Sequence, residues 1–113
     1  LIETNASGIW IGRELDAVGG AVEPGAIWDA RWQLSCSKPQ HDEGLHIAAL
    51  GFKGLEECPD WRDMGCPRAI LAAMPAVWQG PSLIAAPLAG LTNNWCAKHV
   101  FDAFEFPTLT ISD

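Results

Sequence analysis

The chain has 113 residues, of which 49% are hydrophobic, and six are tryptophans. A chain of this length buries roughly 65% of its unfolded surface, so we expect one domain over residues 1–113 with its own core, not disorder. No apolar run approaches the roughly 20 residues of a membrane helix, and no basic-then-apolar leader opens the chain, which favours a cytoplasmic protein. The formal net charge of −7 argues against a uniformly basic nucleic-acid-binding surface.

Strands dominate the elements predicted in the first half of the chain. Segments rich in β-branched and aromatic residues predict three strands: 9–13, 27–34 and 45–50. Polar or Gly/Pro-rich segments between them predict a linker and a loop: 18–26 and 35–44. Within the second strand, the alternation of side chains places Trp28 and Trp32 on the same face.

A short helix followed by a tight hairpin is predicted in the segment CPRAILAAMPAVWQGPSLIAAP, residues 66–87. Pro67 suits the first position of a helix over 67–74, and Pro75 cannot continue that helix. The strands 76–79 and 82–86 are joined by Gly80-Pro81, which fits a type II′ turn.

The remaining segments carry weaker patterns. One or two helical turns are expected at 52–57 and an exposed loop at 58–65, whereas 91–101 is compatible with helix or strand. The alternation over 101–106 predicts a final strand. This order of short strands, one hairpin and one or two short helices predicts an α+β fold.

Residues 66–87 resemble the C-terminal domain of bacterial tRNA(Ile)-lysidine synthetase, a PP-loop ATPase family once regarded as cell-cycle proteins. Three earlier blocks resemble alphaproteobacterial members in the same order: Gly8–Glu14, Ile27–Trp32 and Ile47–Leu55. In the second block Ala30 stands where the family has Gly, within Trp-Asp-Gly-Arg followed by an aromatic residue.

This resemblance implies that the chain is a fragment of a larger ligase, as a start at Leu1 also suggests. In the family, ATP and Mg²⁺ bind an N-terminal domain with a Ser-Gly-Gly-x-Asp-Ser loop, a motif that these 113 residues lack. The parent enzyme adenylates the wobble cytidine of tRNA(Ile), lysine displaces AMP, and the C-terminal region holds the tRNA. We therefore expect tRNA(Ile) as partner through the full enzyme, and neither a catalytic residue nor a cofactor in this chain. A homodimer stays open.

Four cations are the candidate RNA contacts, because they occupy the two stretches without acids. Residues 31–41 contain Arg31 and Lys38, and residues 64–101 contain Arg68 and Lys98. Arg68 is the strongest candidate, since it opens the predicted helix, where free backbone N–H groups favour an anion. An acidic protein-interaction or dimerisation domain without RNA contact is the alternative that the net charge favours, and an isolated enzyme comes third.

The four cysteines are expected to be free thiols without metal, because nothing indicates an oxidising compartment and their spacing is irregular. A zinc site is the alternative, with these ligands: Cys58, Cys66, Cys96 and His99. A catalytic Cys–His pair is less favoured, because no third group is identifiable to orient the base.

Exposed tryptophans could stack on unpaired bases. Four of them lie in predicted strands and are expected in the core: Trp10, Trp28, Trp32 and Trp78. Trp61 is the best exposed candidate, although Asp60 and Asp63 beside it would repel phosphate.

Overall fold

The computed structural model describes residues 1–5, 8–38 and 44–100. Within these ranges the regular elements are β1 (Ile2–Asn5), β2 (Gly8–Ile11), β3 (Ile27–Trp28), β4 (Trp32–Cys36), β5 (Leu45–Ala49), α1 (Gly51–Leu55), α2 (Arg68–Ala72), β6 (Pro75–Gln79), β7 (Ser82–Ala85) and β8 (Trp95–His99). Single turns of 3₁₀ helix lie at Leu15–Ala17, Trp61–Met64 and Pro87–Ala89. The predicted α+β class is confirmed, whereas the strand predicted over 101–106 lies outside the described residues.

Two antiparallel three-stranded sheets enclose the larger core. Their strand orders are β3-β4-β8 and β5-β6-β7. The first sheet contributes Trp28, Leu34 and Trp95 to this core, and the second contributes Ile47 and Val77 among others. Apolar side chains from both inner faces are thus removed from water together, which is the main source of stability in a domain of this size.

The helices cover the opposite face of the second sheet. Ala76, adjacent to Val77 on β6, faces a second core that contains Leu55 of α1 and Leu71 of α2. Because Pro75, Ala76 and Val77 are all buried, this part of β6 is continuously apolar and does not alternate. Each helix has only five residues, and no helix in the described ranges is long and apolar enough to cross a membrane.

The chain begins with a separate two-stranded ribbon. β2 confirms the predicted strand over 9–13 with earlier bounds, but β1, its antiparallel partner, was not predicted. Ile2 and Ile11 form one cross-strand pair, and Ile9 follows on the same face. Next to the ribbon, Gly12 lies close to α2, since a Cβ added at this residue would lie 2.7 Å from Ile70 Cδ1.

The single strand predicted over 27–34 is wrong, because the chain reverses within it. Asp29 and Ala30 have φ of 51° and 56°, and the Arg31 N–H donates to the Trp28 carbonyl oxygen at 3.0 Å. Positive φ at both central residues is the pattern of a type I′ turn, which joins β3 to β4. Trp28 and Trp32 do share a face, as predicted, but as directly opposed residues of two strands.

The other predicted boundaries differ less from the observed ones. The hairpin of β6 and β7 is confirmed, with φ of 58° at Gly80 as a type II′ turn requires. The predicted helix 67–74 is shorter, and the ambiguous segment 91–101 contains β8. The linker 18–26 is tied to β5, because Val22 and Ile47 exchange two backbone hydrogen bonds of 2.9 and 2.7 Å.

Candidate nucleic-acid interface

A shallow groove of about 420 Å³ lies between α1, the 3₁₀ turn Trp61–Met64 and the start of α2. Two arginines line it, and each lies over an aromatic ring. Arg62 Cζ is 4.6 Å from the centroid of the Trp61 ring, and Arg68 Cζ is 4.6 Å from that of Phe52. Both distances are within the range of cation–π attraction. We call this feature the Arg–aromatic groove.

Local packing fixes the elements that form the groove. Leu55 and Cys58, both 1% exposed, line it from the core side and belong to the second core. Cys58 Sγ donates to the Gly54 carbonyl oxygen at 3.5 Å. The predicted exposed loop 58–65 is therefore corrected: it begins with a core residue and folds into a 3₁₀ turn.

The electrostatic character of the groove is mixed. Its lining includes Glu56 as well as Arg62 and Arg68. Burial, and secondly the charge of Glu57, raise the pKa of the Cys58 thiol above its usual value. Since carboxylates repel phosphate, this groove is not the uniformly positive surface that duplex phosphates prefer.

Arg68 occupies the position that the sequence predicted, as the first residue of α2. Its exposed side chain extends over Phe52 on α1, so a ring, and not only the helix end, sets the direction of the guanidinium. Helix α2 spans five residues, so the macrodipole argument that singled out Arg68 has little weight here.

Arg31 is held by a carboxylate. Its Nη1 donates to the Asp29 backbone oxygen at 3.1 Å and lies 3.5 Å from Oδ2 of the same residue. Asp29, whose side chain is 6% exposed, also accepts from Arg13 Nε at 3.1 Å and from the Gly19 N–H at 2.9 Å. Asp29 is thus shared between two guanidinium groups, and we interpret Arg31 mainly as a support of the β3–β4 turn.

Lys38 and Lys98 lie on or beside the first sheet. Lys98, on β8, is opposite Gln33 on β4, and Lys38 follows the end of β4; both lysines are exposed. Within the described ranges neither lysine has an ion pair. The structure therefore places the four predicted cations in three settings and brings only Arg68 into the groove.

Sequence reasoning missed Arg62 and Phe52. Arg62 was not selected as a candidate RNA contact because it lies in an acidic stretch with Asp60 and Asp63. The adjacent pair Trp61-Arg62 was the available signal, since an arginine next to an aromatic residue favours a cation–π contact; Trp61, predicted to be exposed, is half-buried against the second core. Phe52 lies ten or more residues along the chain from either arginine. It meets them in the groove only because α1 packs on α2.

The remaining candidates occupy separate places. All four cysteines are free thiols. Cys58 and Cys66 pack in the second core, whereas Cys96 is exposed on β8 and lies 3.4 Å from Ser35 Oγ. His99 makes an edge contact with Trp32, with ring centroids 4.9 Å apart. In the part of the chain that the structure describes, no three Cys, His, Asp or Glu residues form a group that could hold a metal ion.

Comparison with known proteins supports the resemblance stated from the sequence. The chain is 49% identical over 87 residues to a tRNA(Ile)-lysidine synthase of Ruegeria pomeroyi. The matched region covers 76% of this chain but 20% of that relative, so the chain spans about a fifth of the length of the curated protein. No family model matches the chain, and no solved structure matches it. The predicted resemblance is confirmed by this identity.

Proposed function

We propose that this chain is the C-terminal module of a tRNA(Ile)-lysidine synthase and that it helps to bind tRNA(Ile). The observation that carries the proposal is the 49% identity with the Ruegeria protein over three quarters of the chain. In this proposal the parent is a cytoplasmic ligase that attaches lysine to the wobble cytidine. ATP and Mg²⁺ are bound by the rest of that enzyme, since the phosphate-loop motif does not occur in these 113 residues.

The Arg–aromatic groove supports a role in RNA binding. Arginine binds phosphate through a planar fork of donors and also stacks on bases, so one side chain serves both contacts. Arg68 is the candidate supported by both the sequence pattern and the structure, because it lies in the family-like segment 66–87 and lines the groove. Since the net charge is −7, we expect weak RNA binding by the chain alone and a measurable effect of a single substitution on tRNA affinity only in the full-length enzyme.

The test is the affinity of the full-length enzyme for tRNA(Ile) over a series of salt concentrations. If Arg68 contacts a phosphate, Arg68→Ala weakens binding and lowers the slope of log K against log salt by about 0.7–0.9. Lys53→Ala is the matched control, because Lys53 is an exposed cation on α1 that does not line the groove. Equal binding by the parent, Arg68→Ala and a truncation lacking this chain would refute a tRNA-binding role.

The exposed ribbon favours a second candidate function, a protein-interaction or dimerisation domain. Ile2, Ile9 and Ile11 are 68%, 73% and 79% exposed on one face of the β1–β2 ribbon. Apolar faces of this kind are typical of interaction surfaces. If the ribbon joins two copies, the double variant Ile9→Thr, Ile11→Thr sediments as a monomer where the parent sediments as a dimer. Identical sedimentation of the parent and the double variant would contradict a dimer formed through the ribbon.

A further inference from the structure

We propose that the Arg–aromatic groove binds one unpaired nucleobase that carries an exocyclic amino group. The inference rests on the proposed function and specifies which part of an RNA this chain contacts. It concerns four side chains: Phe52, Trp61, Arg62 and Arg68.

The first argument is the arrangement of flat groups. Each guanidinium lies over an aromatic ring, with Cζ 4.6 Å from the ring centroid, so two Arg–aromatic pairs line one groove. Arg62, Arg68 and Phe52 are exposed, so both Arg–aromatic pairs are open to solvent. An unpaired base has two flat faces and is commonly bound between aromatic rings and guanidinium planes, whereas bases within a duplex offer no free face.

The second argument is the charge of the lining. Glu56 lines the groove together with the two arginines, and Glu57, Asp60 and Asp63 are exposed close by in the sequence. These carboxylates oppose a phosphate. A carboxylate does accept a hydrogen bond from an exocyclic amino group, as in the recognition of cytosine by Glu or Asp. The mixed lining therefore fits the edge of an amino-bearing base better than it fits a row of phosphates.

The third argument is that the walls are held in place. Leu55 and Cys58 anchor one side in the second core. On the other side, a Cβ added at Gly90 would lie 3.4 Å from both Asp60 Cβ and Met64 Sδ, so the 3₁₀ turn Trp61–Met64 is in close contact with the turn Pro87–Ala89. A volume of about 420 Å³ is within the range of small-ligand pockets. Preformed walls reduce the ordering cost of binding a single base.

The test uses the full-length enzyme, tRNA(Ile) and variants that keep charge but remove planarity. Because lysine retains the positive charge and cannot stack as a plane, Arg62→Lys and Arg68→Lys are each expected to weaken binding about five- to tenfold without changing the salt slope. Lys53→Arg is the control and should bind like the parent. Thermal unfolding of each variant shows whether the fold is retained.

A second pair of variants tests the carboxylate. If Glu56 accepts from the base, Glu56→Gln weakens binding; if it only repels phosphate, Glu56→Gln strengthens binding. Glu57→Gln, at an exposed neighbour that does not line the groove, is the control.

The outcomes separate the two proposals. Full affinity in both lysine variants together with a reduced salt slope in Arg68→Ala would mean a phosphate contact, which overturns the base site and leaves the tRNA-binding function intact. No change in any groove variant, with lost affinity on removal of the whole chain, would place the RNA contact elsewhere and also overturn the base site. No effect of removing the chain would refute the proposed function itself.

A titration of the 113-residue chain distinguishes the RNA forms directly. We expect a single-stranded tetranucleotide containing cytosine and adenine to shift the amide resonances of Phe52 and Trp61, and a blunt RNA duplex at equal phosphate concentration to shift them less. The opposite preference would contradict binding of an unpaired base.

Discussion

Ala30 adopts a backbone conformation that its side chain disfavours. With φ of 56° it lies in the left-handed region, where a Cβ costs roughly 1–2 kcal/mol relative to glycine. Asp29, at 51°, is a residue type that adopts this region more readily, and its carboxylate accepts hydrogen bonds from the Gly19 N–H and from Arg13. The family resemblance places glycine at position 30, which is the residue that this turn geometry requires.

We therefore expect Ala30→Gly to raise the free energy of unfolding. Relief of strain is partly offset by the greater entropy of glycine in the unfolded chain, which leaves a gain of about 0.5–1 kcal/mol. Urea unfolding of the chain measures this. Ala21→Gly is the control, since Ala21 is exposed and not among the residues with positive φ; it should lower stability slightly. A decrease in the free energy of unfolding in both variants would contradict backbone strain at Ala30.

The thiols should differ in reactivity according to burial. Burial raises the pKa of Cys66 to about 11, so only a minute fraction is thiolate at pH 8. At that pH we expect iodoacetamide to modify the exposed Cys96 well before Cys66, and the rate at Cys66 to rise with each pH unit up to its pKa. Mass spectrometry of alkylated peptides follows each site. Equal rates at pH 8 in the folded chain would contradict the assigned burial.

At the scale of elements, α1 depends on the absence of a side chain at Gly54. A Cβ there would lie 2.8 Å from Leu50 Cδ1 and 3.0 Å from Trp78 Cζ2. Trp78 is held in turn, because its Nε1 donates to the Ala49 carbonyl oxygen at 3.3 Å. The helix that carries Phe52 can therefore approach β6 only because residue 54 is glycine.

Gly54→Ala is expected to lower the free energy of unfolding by about 1–3 kcal/mol, because overpacking outweighs the better helix propensity of alanine. It should also weaken tRNA binding by the full-length enzyme if Phe52 lines the binding groove. Gly20→Ala is the matched control, since nothing lies within 4 Å of its added Cβ. Unchanged stability in Gly54→Ala would show that Leu50 and Trp78 move aside at little cost.

At the scale of the whole molecule, the chain alone should lack the chemistry of the proposed parent. We expect the 113 residues, incubated with ATP, Mg²⁺, lysine and tRNA(Ile), to release no pyrophosphate above background, because the phosphate-loop motif does not occur among them. The full-length enzyme is the positive control in the same assay. Pyrophosphate release that depends on the isolated chain would contradict a non-catalytic module.

Local rules made part of the fold predictable. The β6–β7 hairpin was predicted correctly because Gly80-Pro81 restricts the backbone regardless of its surroundings. The boundary between α2 and β6 followed from Pro75 in the same way, since proline lacks the N–H that a helix needs.

Other features depended on contacts between distant segments. The turn at Asp29–Ala30 was missed because alanine occupies a position of positive φ, where a glycine would have indicated a turn. Trp28 and Trp32 pack on the same core, which compensates for the backbone strain of this turn. β1 was missed because four residues become a strand only when β2 supplies the hydrogen bonds.

The sequence by itself determined the α+β class, the hairpin, the resemblance to tRNA(Ile)-lysidine synthetases and Arg68 as a candidate contact, because these depend on residue types at short spacing. Only the tertiary structure decided where the cations lie and which side chains they contact. It binds Arg31 to Asp29, leaves Lys38 and Lys98 with the first sheet, and joins Arg68 with Phe52, Trp61 and Arg62. The physical reason is that the packing of α1 against α2 determines which side chains from distant parts of the chain come into contact. A pattern of residue types at short spacing does not contain that information.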